Sequence, residues 1–285
     1  MIFLDSELTE AERGVDARFH VVPMPLEATV SYGSGTSGGP AALIAASDQL
    51  ERLWRGFEPC KAGIHTTTAI DCTQPIEAAL ADLSARTESI VRTGRIPVTL
   101  GGEHSLTYGA VVGVQRALGR PVGVVQIDAH ADLRLAYQGH RHSHASVMQL
   151  LVEEEGTKLA QYGVRALSSE EAARRAANGV VFIDAEALVM GNVTEITLPD
   201  DFPTDIYISF DVDGLDAAIM PATGTPVPGG LGYYHALALV RSALKGRRCV
   251  GMDVVELAPI DGAEVWDFTA AQLTYALMGI VVQND

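Results

Sequence analysis

Gln126-Ile127-Asp128-Ala129-His130-Ala131-Asp132 closes one apolar run, Pro121-Val122-Gly123-Val124-Val125-Gln126-Ile127, and Asp211-Val212-Asp213 closes another, Asp205-Ile206-Tyr207-Ile208-Ser209-Phe210. Short β-branched segments of this kind suit a parallel sheet covered on both faces, so each acidic run is expected at the C-terminal end of a buried strand. If the runs stay extended, side chains alternate with period two, which brings Asp128, His130 and Asp132 to one side and Asp211 and Asp213 likewise. Gathering carboxylates is costly. Two like charges at ~4 Å repel by about 1 kcal/mol in water and about 4 kcal/mol at an effective dielectric near ~20. Such a group must protonate, spread apart or bind cations, and the interleaved imidazole favours cations.

Further strand-like runs lie near 18–23, 96–100, 160–164, 180–183 and 248–255, and helix-compatible stretches at 39–54, 75–93, 105–118 and 168–178 alternate with them. This alternation predicts an α/β fold of three αβα layers around a doubly wound, mostly parallel sheet. Ser168 with Glu171 matches a capping box, and Asn178-Gly179 supplies a left-handed stop. Two loops follow the acidic runs, 133–143 and 216–232, the latter holding Pro221, Pro226 and Pro228. They fall at the sheet edge where doubly wound folds bind ligands.

The 285 residues, 47% of them apolar, are enough to bury a sizeable core, and a single domain over 1–285 is expected. A formal charge of −16 argues against nucleic acid or an anionic membrane surface as partner and suits a small cation. No stretch reaches the roughly 18 uninterrupted apolar residues of a membrane span. The start, Met1-Ile2-Phe3-Leu4-Asp5-Ser6-Glu7, reads as neither secretory signal nor transit peptide. Cys60, Cys72 and Cys249 are odd in number and widely separated, which fits a cytoplasmic location.

A third segment, Gly101-Gly102-Glu103-His104-Ser105, follows the apolar Ile96-Pro97-Val98-Thr99-Leu100 and leads into a helix. Taken alone, His104 there reads as a capping or core histidine. Taken with Asp128-Ala129-His130-Ala131-Asp132 and Ser209-Phe210-Asp211-Val212-Asp213-Gly214-Leu215-Asp216, it resembles the ureohydrolase family of arginases and agmatinases. The signatures of that family are a Gly-Gly-acid-His-Ser turn, an Asp-Ala-His-x-Asp run and a Ser-x-Asp-Val-Asp run. The resemblance extends from Val30-Ser31-Tyr32-Gly33-Ser34-Gly35-Thr36 and Gly39-Pro40 to Gly251-Met252-Asp253-Val254-Val255-Glu256, in family order and spacing.

The resemblance implies two manganese ions, one held by His104, Asp128, Asp132 and Asp211 and the other by His130, Asp128, Asp211 and Asp213. Asp128 and Asp211 would bridge them, about 3.5–4 Å apart, with a shared water made acidic. It implies hydrolysis of a guanidino group to urea and an amine. His144, in Ser143-His144-Ala145-Ser146-Val147-Met148, would be the catalytic proton shuttle, and Glu256 the catalytic, substrate-binding carboxylate. Blander readings exist: the His140, His142 and His144 loop as a solvated turn, Glu256 in a structural ion pair. Asp253 and the positions around Met148, Leu150 and Leu151 read as structural. By resemblance the assembly is a homotrimer or homohexamer.

Leu133-Arg134-Leu135-Ala136-Tyr137-Gln138-Gly139 resembles the agmatinase loop and lacks the arginase Asn- and Ser/Thr-rich pattern, so the implied substrate is agmatine, a small cationic guanidine. Val227, in Thr225-Pro226-Val227-Pro228-Gly229-Gly230, and His142 depart from the agmatinase pattern on loops expected to border the substrate tail. Aminopropylagmatine, guanidinobutyrate, guanidinopropionate, arginine and formiminoglutamate therefore stay open as substrates. Two further readings are a catalytically silent metal-binding assembly protein on this scaffold and a metallophosphoesterase. The complete ligand set weighs against the first, and the scarcity of basic residues, chiefly Arg134 and Arg141, against the second.

Overall fold

A computed structural model describes residues 1–284. Its strands are β1 (Phe19–Met24), β2 (Ile64–Thr66), β3 (Ile96–Gly101), β4 (Gly123–Ile127), β5 (Lys158–Tyr162), β6 (Val181–Ile183), β7 (Asp205–Asp211) and β8 (Arg248–Val255). They form one sheet in the order β2-β1-β3-β8-β7-β4-β5-β6, every pairing parallel. The helices are α1 (Gly39–Ser47), α2 (Ile76–Arg92), α3 (Leu106–Leu118), α4 (Val147–Glu155), α5 (Ser169–Ala177), α6 (Ala185–Met190), α7 (Tyr233–Leu244) and α8 (Val265–Asn284).

Strand side chains divide between two apolar cores, one per face, as the pleat requires. Val21, Val125, Ile208, Phe210, Met252 and Val254 join α1, α7 and α8 on one face. Val22, Met24, Val124, Tyr207, Val250 and Val255 join α2, α3 and α4 on the other. The expected three-layer, doubly wound arrangement is present, and burial from both sides is why the strands read as near-continuous apolar runs. The Ser168–Glu171 capping box forms as anticipated, and Gly179 takes a left-handed φ of 61° just past α5.

Some boundaries differ from the sequence reading. The helix expected over 39–54 stops at Ser47, because Ser47 and Asp48 turn their side chains to the N-terminal segment, accepting from the amides of Leu4 and Ser6 at 2.8 and 2.7 Å. β5 starts at Lys158 instead of 160, since an exposed lysine pairs with Gly123 as readily as an apolar residue does. β2 went unanticipated, three residues being too few to show a period. α8 has no uninterrupted apolar run, yet by length and composition it could cross a membrane, with mean hydropathy 1.3. In the fold 67% of that helix window is buried, and α8 packs against α1 and α7 as a core helix.

Gly102 anchors the turn that carries His104. Its amide donates to Met24 O and the next amide to Leu26 O, so the turn lies flat on the chain leaving β1. A Cβ on Gly102 would stand 2.1 Å from Leu26 O. Gly102→Ala is therefore expected to destabilise the protein by about 1–3 kcal/mol and to weaken metal retention with it. A melting curve and a metal assay on the variant check both; an unchanged midpoint with full metal content would contradict the close approach.

Candidate metal centre

β3, β8, β7 and β4 are neighbours in the middle of the sheet. His104 lies between β3 and α3, Asp128, His130 and Asp132 follow β4, Asp211 and Asp213 close β7, and Glu256 follows β8. His144 opens a single 3-10 turn, His144–Ser146, ahead of α4. All eight anticipated site residues border one cavity or sit directly beneath it.

Extended alternation does not gather the carboxylates, contrary to the sequence reading. β4 stops at Ile127; the His130 amide then donates to Asp128 Oδ1 at 2.6 Å, and Asp132 adopts a left-handed φ of 51°. After Asp211 the chain enters the turn Val212–Gly214, with the Asp213 amide donating to Asp211 Oδ1 at 2.8 Å. Aspartate side chains close such turns on amides two residues ahead, and here those bonds replace the pleat.

Two groups result. His104 Nδ1 lies 3.1 Å from Asp128 Oδ2, 3.0 Å from Asp132 Oδ2 and 3.4 Å from Asp211 Oδ2. His130 Nδ1 lies 3.0 Å from Asp213 Oδ2 and 3.6 Å from Asp128 Oδ1. Asp128 thus gives one oxygen to each group. His104 Nδ1 is buried and makes no directed hydrogen bond despite three oxygens in reach, so nitrogen and oxygens face a shared point instead of one another. On the far side of the ring, Nε2 is 2.8 Å from Ser209 Oγ, whose own proton goes to Asp253 Oδ1 at 2.9 Å. Ser209 must then accept from Nε2–H, which leaves the Nδ1 lone pair for a ligand. A divalent cation fits this donor set of imidazole nitrogen and carboxylate oxygens. Asp253 also accepts from Thr107 Oγ1 and the Tyr207 hydroxyl, in keeping with a structural role.

The electrostatics agree. Burial opposes charge on His104, but Asp128, Asp132 and Asp211 hold its pKa well above the usual imidazole range. Burial also opposes charge on His130, which Asp128 and Asp213 nonetheless hold at about 12. Burial and then Asp128 push Asp132 to about 7, and burial with Asp213 and Asp128 pushes Asp211 well above the carboxylate range. Without a cation, protons on the histidines take its place.

A cavity of about 220 Å³ opens above these groups, its rim formed by Tyr32, Arg134, Tyr137 and Thr225. Glu256 is buried, with a left-handed φ of 66°, an uncommon conformation for a side-chain-bearing residue. Its Oε1 takes the His104 amide at 2.6 Å, yet burial pushes its pKa to about 8, the state of a carboxylate short of a positive partner. Burial lowers the pKa of His144, which also borders the cavity. Among the described residues His142 and Val227, whose loops were expected to border the substrate tail, are not themselves part of the lining. His142 packs edge-on against Tyr108 at 5.3 Å, and the Val227 carbonyl accepts from Arg165 Nε and Nη2 at 3.1 and 2.8 Å. Their loops do reach the cavity, through Tyr137 and Thr225. Sequence reasoning missed Tyr32, Ser209 and Arg165 as parts of the site. Ser209 stands inside a quoted motif, whereas nothing local marks Arg165.

A family model described as the arginase family matches residues 17–279. The N(1)-aminopropylagmatine ureohydrolase of Synechocystis sp. is 38% identical over 287 residues, covering 97% of this chain and 92% of that protein. The agmatinase of Pyrococcus horikoshii is 30% identical over 270 residues, covering 93% and 92%. The solved structure of the agmatine ureohydrolase of Thermoplasma volcanium superposes with a TM-score of 0.79 at 28% identity, covering 94% and 91%.

Removing Asp128, the carboxylate that reaches both histidines, is the sharpest test of the centre. Asp128→Ala is expected to lose bound metal, measured by elemental analysis after manganese loading and desalting. His130→Ala is expected to lose part of it. Full metal content in Asp128→Ala would refute the shared-carboxylate arrangement.

Proposed function

Because the chain belongs to the arginase family, we propose that it acts on a small cationic guanidine, hydrolysing agmatine to urea and putrescine. The observation that carries this reading is the double histidine–aspartate group on the cavity floor, with the buried Glu256 beside it lacking a cation. Two manganese ions are the proposed cofactor, held by His104, Asp128, Asp132 and Asp211 and by His130, Asp128, Asp211 and Asp213. When bound, such a pair supplies Lewis acidity and a water acidified toward neutral pH.

The protein's own part is orientation and proton movement. Glu256 offers its carboxylate to the guanidinium and so holds the planar carbon over the floor. The departing amine needs a proton, and His144 carries it. The cavity is smaller than the ~300 Å³ and upward that hold drug-sized ligands, which suits a narrow aliphatic chain. The chain is taken to act as one cytoplasmic domain in a homotrimer or homohexamer; the charge of −16 supports the further reading that neither nucleic acid nor an anionic membrane surface is a partner.

A second reading is N(1)-aminopropylagmatine, after the name of the Synechocystis relative. An added aminopropyl arm would leave the cavity past Tyr32, which is 88% exposed and can stack on an ammonium group.

Urea release from manganese-loaded protein, with agmatine, N(1)-aminopropylagmatine, arginine and guanidinobutyrate at matched concentrations and a metal-stripped control, tests both readings. Metal-dependent urea from agmatine with arginine inert is expected; a higher kcat/KM for the aminopropyl compound would establish the second reading, and no urea from any of them would overturn both. Glu256→Gln is expected to keep its metal and raise KM about tenfold or more, the size of a lost hydrogen bond to a charge.

A further inference from the structure

We infer that Glu103 and Thr29 are positioning residues that fix His144 in its Nδ1–H tautomer and thereby reserve Nε2 for the cavity. The consequence for turnover rests on the reaction proposed above; the tautomer does not. Glu103 is fully buried one residue before His104, and it neither lines the cavity nor joins the histidine–aspartate groups. Its Oε2 takes the amides of Ala28 and Thr29, both at 2.6 Å, and its Oε1 takes the Thr29 hydroxyl at 2.8 Å. Ser105 Oγ also donates to Oε1.

The direction of each bond follows from counting protons. A carboxylate offers only acceptors, so the single proton of Thr29 Oγ1 points to Glu103. Of the two lone pairs left on Oγ1, one accepts the His144 main-chain amide at 3.1 Å. The other faces His144 Nδ1 at 3.2 Å. Nδ1 must therefore be the donor, and in the neutral ring Nε2 is unprotonated. Ser143 Oγ, at 3.5 Å from Nδ1, is at the outer limit for a bond and does not compete. The Tyr137 ring packs edge-on against the imidazole at 5.7 Å and restrains its rotation. Burial keeps the ring neutral at neutral pH, the form in which the tautomer matters.

Glu103→Gln inverts the bonds without changing the shape. The Ala28 and Thr29 amides demand an acceptor at the Oε2 position, so the glutamine carbonyl goes there and its NH2 falls where Oε1 was. That NH2 donates to Thr29 Oγ1, which sends the threonine proton to His144 Nδ1 and moves the imidazole proton to Nε2. Nitrogen NMR of isotope-labelled histidine in magnesium-loaded protein, at a pH where the ring is neutral, reads the tautomer. Nδ1–H is expected in the unaltered protein and in Thr29→Ser, Nε2–H in Glu103→Gln, and a mixture in Thr29→Val, which also covers the case that Glu103→Gln fails to fold. With manganese and agmatine, Glu103→Gln and Thr29→Val are expected to lose about tenfold or more in kcat, with KM and metal content little changed, and Thr29→Ser to keep it.

An Nε2–H ring in the unaltered protein, or one tautomer throughout the series, overturns the inference whether or not urea is made. Tautomers that shift while kcat stays constant overturn the positioning role. Tautomers as expected in a protein that releases no urea overturn the proposed reaction and leave the hydrogen-bond relay standing.

Discussion

Asp128 is pressed between two histidines, one oxygen to each, with Asp132, Asp211 and Asp213 crowded around the same rings. Each like-charged pair at about 4 Å costs about 4 kcal/mol at an effective dielectric near ~20, so the cluster persists only with positive charge inside it. Protons on His104 and His130 would meet that demand where no cation is bound, and divalent cations meet it better because they can bond several oxygens at once. The rest of the architecture serves this constraint. Four adjacent parallel strands give the carboxylates a common edge, cores on both faces stop that edge from spreading, and Arg165 holds the surrounding loops by their carbonyls at Asp213, Leu215 and Val227.

Hydroxyl groups impose direction on the site. A serine or threonine has one proton, and where a buried carboxylate takes it, every other partner must donate. Ser209 stands between Asp253 and His104 in this way, turning the Nδ1 lone pair toward the carboxylates. Thr29 stands between Glu103 and His144 by the same logic. Two imidazoles near one another are thus held in opposite senses, one leaving Nδ1 open and one leaving Nε2 open. The difference comes from partners that never touch the cavity floor.

Floor and rim differ in chemistry. The floor is acidic; the rim carries Tyr32, Tyr137 with Arg134 stacked 5.1 Å from its ring, and Thr225, with no carboxylate. Reaction type therefore resides in the strand ends, and discrimination of the substrate tail in loops that the sheet does not constrain.

The amino-acid sequence alone was enough to determine the parallel α/β architecture and the residues of the centre. Two-faced burial leaves uninterrupted apolar runs, and polar residues at the ends of such runs stand out against them: hence Asp128, His130, Asp132, Asp211 and Asp213 were legible, and the family resemblance added His104, His144 and Glu256. How the carboxylates converge was not legible, because Asx turns at Asp128 and Asp211 overrode the strand period. Nor was the lining: Val227 and His142 sit on the right loops but face elsewhere, since Arg165 and Tyr108 claim them. The partners of the two histidines belong wholly to tertiary structure. Ser209 meets Asp253 only through the register of β7 on β8, and Thr29 meets His144 across a sequence separation of 115 residues. A hydrogen bond's direction depends on which groups the fold brings within 3 Å or so of one another, and no local pattern in the chain encodes that distance.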